Sequence, residues 1–166
     1  MAPAWCDLMH RIEGWVLLVA VACGVASLTH FFHNAEFCGD YPNLPAWITR
    51  ESVWLAWAGI TLLGGAGLGL FRAGHRKSSL GVLAAYGALG CDGLGHYGLA
   101  PMARHTAMMN FSIWFEVVTG LTLLAVALGA LVIEVRQHPG LIPAPLSAKS
   151  GRPQHDPFLR PQGGDG

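Results

Sequence analysis

The chain has 166 residues, of which 52% are hydrophobic and only 12% are charged, with ten basic and ten acidic side chains. Soluble domains carry about 25% charged residues, so the composition excludes an ordinary water-exposed surface. The balanced charge also excludes the basic patch that nucleic-acid binding requires. The sequence therefore predicts an integral membrane protein whose main partner is the lipid bilayer.

Four apolar segments have the length needed to cross a bilayer as a helix, about 17–25 residues. The predicted helices cover approximately residues 14–32, 53–71, 80–97 and 109–135. Lipid supplies no hydrogen-bond partners, so each segment must be helical. Short connections then predict an all-α fold, an antiparallel four-transmembrane-helix bundle over residues 1–136.

The basic residues orient this bundle. One end has only Arg50 and Arg104, and the other end has the remaining eight, namely Arg11, Arg72, Arg76, Lys77, Arg136, Lys149, Arg152 and Arg160. Cytoplasmic ends carry the excess of Lys and Arg, so both termini are predicted to be cytoplasmic. We expect a bacterial inner membrane, with the 34–50 and 100–108 loops on the periplasmic side.

Residues 137–166 differ in composition from the bundle. They contain six of the ten prolines and no apolar periodicity. Such a composition cannot bury enough apolar surface to offset the entropy of ordering. The segment is predicted to be a disordered, Pro/Gly-rich cytoplasmic tail.

Histidines and acids concentrate near the predicted outer end. Four of the eight histidines fall there, namely His30, His33, His96 and His105. A rise of about 1.5 Å per residue puts His30 and His96 at similar depth, and places Asp92 and Glu116 at a common level below them. Intramembrane acids cost roughly 2.5–3.5 kcal/mol and usually face a bundle interior, pair with another group or bind a cation. The combination predicts a metal site.

Methionines flank one of these histidines. Met102, His105 and Met108 form a Met-x2-His-x2-Met sequence, and thioether with imidazole suits soft copper ions, particularly Cu(I). Asp92-x3-His96 followed by His105 resembles the Asp/His/His copper arrangement in a membrane subunit of particulate methane and ammonia monooxygenases. The resemblance covers three residues and implies copper as the metal.

Structural interpretations of the same residues remain open. His30 and His33 suit a membrane interface, Met108 suits helix packing, and Asp92 with His96 suits a hydrogen-bonded pair that fixes helix register. Cys38 can pair with Cys91 only if the outer loop folds into the mouth of the bundle, and we expect Cys91 to be a free thiol.

Three functional hypotheses follow. The first is an outward-facing copper site for a membrane redox or metal-handling system. Its ligands come from His30, His33, Asp92, His96 and His105, with Glu116 as ligand or proton acceptor and Met102 and Met108 capturing Cu(I). If it is catalytic, the chain is a subunit of a membrane metal-dependent oxidoreductase whose partner subunits supply electrons.

The second hypothesis is a b-type haem protein that exchanges electrons with quinone. His30 and His96 would then be the axial ligands from two helices. The third is a non-catalytic accessory or assembly subunit of a larger membrane complex, which fits the small size and the glycine-rich helices.

Overall fold

The structure is a computed structural model that describes residues 4–137, with side chains described for residues 11–136. Its five α-helices are α1 (Ala4–Glu36), α2 (Arg50–Arg72), α3 (Arg76–Leu89), α4 (Gly95–Leu99) and α5 (Ala107–Gln137). Short 3-10 turns cover Cys38–Asp40, Asp92–Leu94 and Met102–Arg104, and no strand occurs within residues 4–137. The all-helical prediction is confirmed, whereas the predicted tail lies outside the described residues.

Three helices are long and apolar enough to cross a membrane, over Arg11–Glu36, Arg50–Arg72 and Ala107–Arg136. The outer face of α1 carries large apolar side chains at spacings of three and four residues, namely Trp15, Leu18, Val21, Val25, Leu28 and Phe32. A soluble helix would carry polar side chains on that face. The apolar exterior indicates a membrane-embedded protein.

The four longer helices pack in a ring in which each contacts two neighbours: α1 and α3 each pack against both α2 and α5. The inward side of α1 presents Val16, Ala20 and Cys23 to this core. Across the ring, Leu83 of α3 and Leu123 of α5 are fully buried. Ion pairs join neighbouring helices near both ends of the ring. Arg50 of α2 pairs with Glu36 of α1 at 2.6 Å, and Arg76 of α3 pairs with Glu13 of α1.

Two glycines let α3 and α5 approach closely. A Cβ atom on Gly87 would lie 2.7 Å from the carbonyl oxygen of Gly120, and one on Gly120 would lie 2.6 Å from that of Gly87. Real Cβ atoms do not come so near backbone atoms, so both positions require glycine at this separation. Small residues allow membrane helices to pack at such short separations.

The third predicted helix is interrupted, so the prediction of one continuous helix over 80–97 is wrong. α3 ends at Leu89, and the amides of Gly90 and Cys91 bond three residues back, to Gly87 and Ala88, at 3.1 Å. Each glycine costs about 1 kcal/mol of helix propensity relative to alanine, and this stretch holds several. The 14 residues of α3 span only about 21 Å, so α3 alone is not among the candidate membrane spans.

Candidate functional site

One end of the ring has a polar interior. On α1, Ser27, His30 and Asn34 are buried, and on α5 Ser112 and Glu116 are buried. Within each helix these residues lie three or four positions apart, which places them on one face. Both helices therefore present a polar face to the interior, and the carboxyl group of Glu116 on this face is 2% exposed.

His30 is bound through one ring nitrogen only. The Ser112 hydroxyl donates to the carbonyl of Met109 at 3.0 Å, so its oxygen accepts from His30 Nδ1–H at 3.4 Å. His30 Nε2 then carries a lone pair, and it lies 3.7 Å from Glu116 Oε2. That separation is too long for a hydrogen bond, and Oε2 is buried without a hydrogen-bond partner. His30 Nε2 and Glu116 Oε2 thus face one another across a gap without a hydrogen bond between them.

His105 has the same arrangement on the loop before α5. Its Nδ1–H donates to the carbonyl of Pro101 at 3.2 Å, which leaves the lone pair on Nε2. The side chain is 7% exposed, and Nε2 is buried without a hydrogen-bond partner. Metal-binding histidines commonly donate their second ring N–H to a backbone carbonyl in this way.

His96 of α4 lies between these two histidines. Its ring centroid is 5.5 Å from that of His30 and 6.3 Å from that of His105. Its Nε2 is 3.2 Å from Nδ2 of Asn34. We call His30, His96, His105 and Glu116 the histidine–glutamate cluster.

The break after α3 positions this cluster. Gly93, in the 3-10 turn, packs so closely that a Cβ atom there would lie 3.5 Å from His30 Nε2 and 3.7 Å from Glu116 Oε2. The same turn directs the chain into α4, which carries His96. The glycine-rich sequence therefore allows the 3-10 turn to lie beside His30 Nε2 and Glu116 Oε2, and it places His96 next to them.

Tyr41, which the sequence analysis did not single out, closes the cluster from the 37–49 loop. It is 4% exposed, and its ring centroid lies 4.7 Å from that of His96. Burial raises the pKa of Tyr41 to about 12, so the hydroxyl is protonated at neutral pH, and it forms a hydrogen bond with His33 Nδ1 at 2.9 Å. The only sequence signal is an aromatic residue within a polar loop.

Several predicted ligands lie elsewhere. His33 is half-buried, bonded to Tyr41 and packed on Phe37 at a centroid distance of 4.7 Å. Met102 and Met108 have exposed side chains, 49% and 57% respectively, although His105 between them is buried. The structure brings together His30, His96, His105 and Glu116, and Asn34 joins them because it lies one helical turn beyond His30.

Asp92 requires a correction. It was expected one turn below His96 on the same continuous helix, level with Glu116 in the bundle interior. Instead it lies in the 3-10 turn after α3 with an exposed side chain. It shares a cavity with His96. The interruption of the helix at Gly90 accounts for this displacement.

No cysteine within residues 11–136 forms a disulfide. Cys23, Cys38 and Cys91 are free thiols, and Cys38 Sγ donates to the carbonyl of Ile48 at 3.5 Å. The expectation of a free Cys91 is confirmed, and the alternative of a Cys38–Cys91 disulfide is wrong.

Among the described residues, no group of three or more His, Cys, Asp and Glu side chains is arranged, as placed, to hold a metal ion. Glu116 Oε2 and His105 Nε2 are nevertheless buried polar atoms without a hydrogen-bond partner. Comparisons with protein-family models, with curated proteins and with solved structures find no match to this chain.

Proposed function

We propose that this chain is a small membrane protein whose histidine–glutamate cluster binds a transition-metal ion, copper in the first place, for a membrane redox or metal-handling system. The gap between His30 Nε2 and Glu116 Oε2, 3.7 Å across, carries the proposal. Ions such as zinc bind imidazole nitrogen at about 2.0–2.1 Å and carboxylate oxygen at about 2.0–2.2 Å. A bent N–metal–O arrangement therefore spans such a gap.

His96 and His105 supply further donors. Two imidazoles bound to one ion at about 2.0–2.1 Å hold their ring centroids about 5–6 Å apart. The ring centroid of His96 lies 5.5 Å from that of His30 and 6.3 Å from that of His105. Side-chain rotations of the cluster are still needed. If the Asn34 amide turns over, its Oδ1 can accept a hydrogen bond from Nε2–H of His96. The lone pair of His96 is then on Nδ1, where it can bind the ion.

The donor set favours copper among the available metals. Imidazole suits Zn, Cu, Fe and Ni, and copper binds most strongly of the divalent first-row ions at a given site. The exposed Met102 and Met108 lie outside the cluster, and in this proposal they capture Cu(I) before it reaches His105.

The membrane arrangement completes the proposal. We infer that residues 76–99 form the fourth crossing, giving an antiparallel bundle with both termini in the cytoplasm and the cluster on the periplasmic side of a bacterial inner membrane. Interrupted helices occur at membrane depth where they are buried or line a cavity. The apolar exterior leaves surface for partner subunits, and an accessory role in a larger complex is compatible with a bound metal.

The haem alternative is supported less well. A haem between His30 and His96 needs a slot for its ring, but the 3-10 turn lies beside these residues, since a Cβ atom on Gly93 would be in van der Waals contact with His30 Nε2 and Glu116 Oε2. We therefore give haem no role in this proposal. An absorption spectrum of the purified protein tests this alternative, because bound haem would give a Soret band.

Copper titration of chelator-treated protein in mild detergent, followed by mass spectrometry of bound metal, tests the proposal. We expect about one equivalent of copper per chain and at least tenfold weaker binding in His105→Gln and in His30→Gln. His75→Gln is the matched control, since His75 is exposed in the turn between α2 and α3, far from the cluster, and its affinity should equal that of the wild type. Unchanged affinity in both cluster variants, or no stoichiometric copper, would overturn the proposal.

A further inference from the structure

A cavity of about 430 Å³ lies next to the histidine–glutamate cluster. It is bounded by the end of α1, the 44–48 segment, the start of α2 and the 3-10 turn with α4, and its lining includes Phe31, Asn34, Trp47, Val53, Asp92 and His96. Sites for small organic molecules commonly measure about 300–1,000 Å³ and combine apolar walls with a few polar groups. The cavity has the size and composition of such a site.

Its wall is mainly apolar, and it opens beside the apolar exterior of α2. Phe31 and Val53 form buried parts of the wall. Trp47, also in the lining, is 76% exposed, and Ala56 of α2 lies next to Leu55, which is 74% exposed. The opening therefore adjoins a helix that is long and apolar enough to cross a membrane.

The polar end includes a buried hydrogen-bond acceptor. Asn34, 8% exposed, has a buried Oδ1 without a hydrogen-bond partner, while its Nδ2 is engaged with His96. The exposed Asp92 side chain lies in the same lining. Leaving the buried Oδ1 of Asn34 unpaired costs about 1–3 kcal/mol, so the complementary ligand carries a donor at this end.

We propose that this cavity binds a ring-sized aromatic molecule with a hydroxyl group, of the phenol and quinol class, taken up from the lipid. A neutral hydroxyl donates to the acceptors and dissolves in a bilayer, whereas an ammonium group must first lose its hydration. Phe31 and Trp47 offer aromatic faces and edges to such a ring. The proposal goes beyond metal binding and concerns the metal-free protein, in which Asn34 Nδ2 is engaged with His96.

The proposal can be tested by titrating the protein with 4-fluorophenol and with 4-fluoroanisole and monitoring binding by fluorine NMR. O-methylation in the second probe removes the donor and keeps the ring. The chelator-treated protein is used so that His96 holds no metal, and empty micelles serve as the blank for partition into detergent. We expect wild-type protein to bind the phenol about tenfold more tightly than the anisole, equivalent to about 1.4 kcal/mol.

Variants then locate the binding. Ala56→Trp fills the cavity and should weaken phenol binding at least tenfold, whereas Ala58→Trp, exposed on α2 outside the lining, should leave it unchanged. Leu44→Trp is a second filling variant in case the first fails to fold. Asn34→Leu should abolish the preference for phenol. Equal phenol affinity in the folded filling variants and wild type, or no preference for the donor, would overturn the proposal.

Discussion

Glu116 places a carboxyl group where an apolar side chain would be expected to stabilise the fold better. Its carboxyl group is 2% exposed and lies in a membrane helix, yet Oε2 has no hydrogen-bond partner. Buried charges that lack full pairing are often replaced by apolar residues of similar volume without loss of stability. A group that costs stability and faces a histidine is better explained by binding than by packing.

Replacing Glu116 with methionine should therefore separate stability from function. In chelator-treated protein we expect the melting temperature of Glu116→Met to stay equal to or above that of the wild type, while copper affinity falls at least tenfold. Ile113→Ala, which empties a fully buried apolar site one turn away, is the comparison and should lose about 2–5 kcal/mol. Unfolding of Glu116→Met like Ile113→Ala would identify Glu116 as a structural residue.

Tyr41 allows a pH test at the residue scale. Burial raises its pKa to about 12, from an ordinary value of 10.0. Between these values the unfolded chain releases this proton first, so the free energy of unfolding falls as pH rises. We expect Tyr41→Phe to lose less stability than the wild type between pH 10 and 12 in denaturant titrations, and equal losses would contradict a buried, protonated Tyr41.

At the scale of elements, the crossing of α3 and α5 governs how the interrupted third segment is held. The backbones of Gly87 and Gly120 meet with no room for a side chain on either. Close backbone approach increases the packing contacts that hold membrane helices together. The contact fixes the end of α3 from which the chain turns toward α4 and His96.

Gly120→Ala should push the two helices apart. We expect a clearly lower melting temperature and weaker copper binding, because the displaced α3 no longer positions the turn beside Glu116. Gly129→Ala on the same helix is the matched control, since a Cβ atom there meets nothing within 4 Å. Thermal unfolding of both variants by circular dichroism checks this, and equal melting temperatures would show that the close crossing is dispensable.

At the scale of the whole molecule, the number of membrane crossings decides which loops share a side. α1, α2 and α5 are candidate spans, whereas residues 76–99 combine α3, a 3-10 turn and α4. If this composite segment crosses, the turn after α2 and the loop before α5 lie on opposite sides. The histidine–glutamate cluster then lies at the end that carries few basic residues.

Single cysteines in a cysteine-free background can test the topology with a membrane-impermeant maleimide. We expect labelling at Ala46→Cys and Ala103→Cys in intact spheroplasts, and at Ala73→Cys only after permeabilisation. All three positions are exposed. If Ala103→Cys behaves like Ala73→Cys, residues 76–99 do not cross the membrane.

The sequence by itself determined the helical class and most helix positions, because lipid forces apolar segments into helices whatever their packing. It also indicated His30, His96 and Glu116, since polar residues are rare in such segments, and it indicated His105 through the methionines that flank it. Tertiary structure decided the rest. From the sequence, the glycines of the third segment are equally consistent with close helix packing and with a helix break. Only the contacts of Gly87, Gly90 and Gly93 with α5 show which of the two each glycine serves.

The composition of the site likewise depended on contacts between distant segments. Tyr41 enters from a loop and Asn34 bonds to His96, partnerships that no local spacing encodes. Asp92 left the interior because the helix ended before it, and Met102 and Met108 faced outward although His105 between them was buried. Periodicity specifies which face of one element a residue occupies, whereas a binding site requires the relative positions of several elements, which only the packed chain establishes.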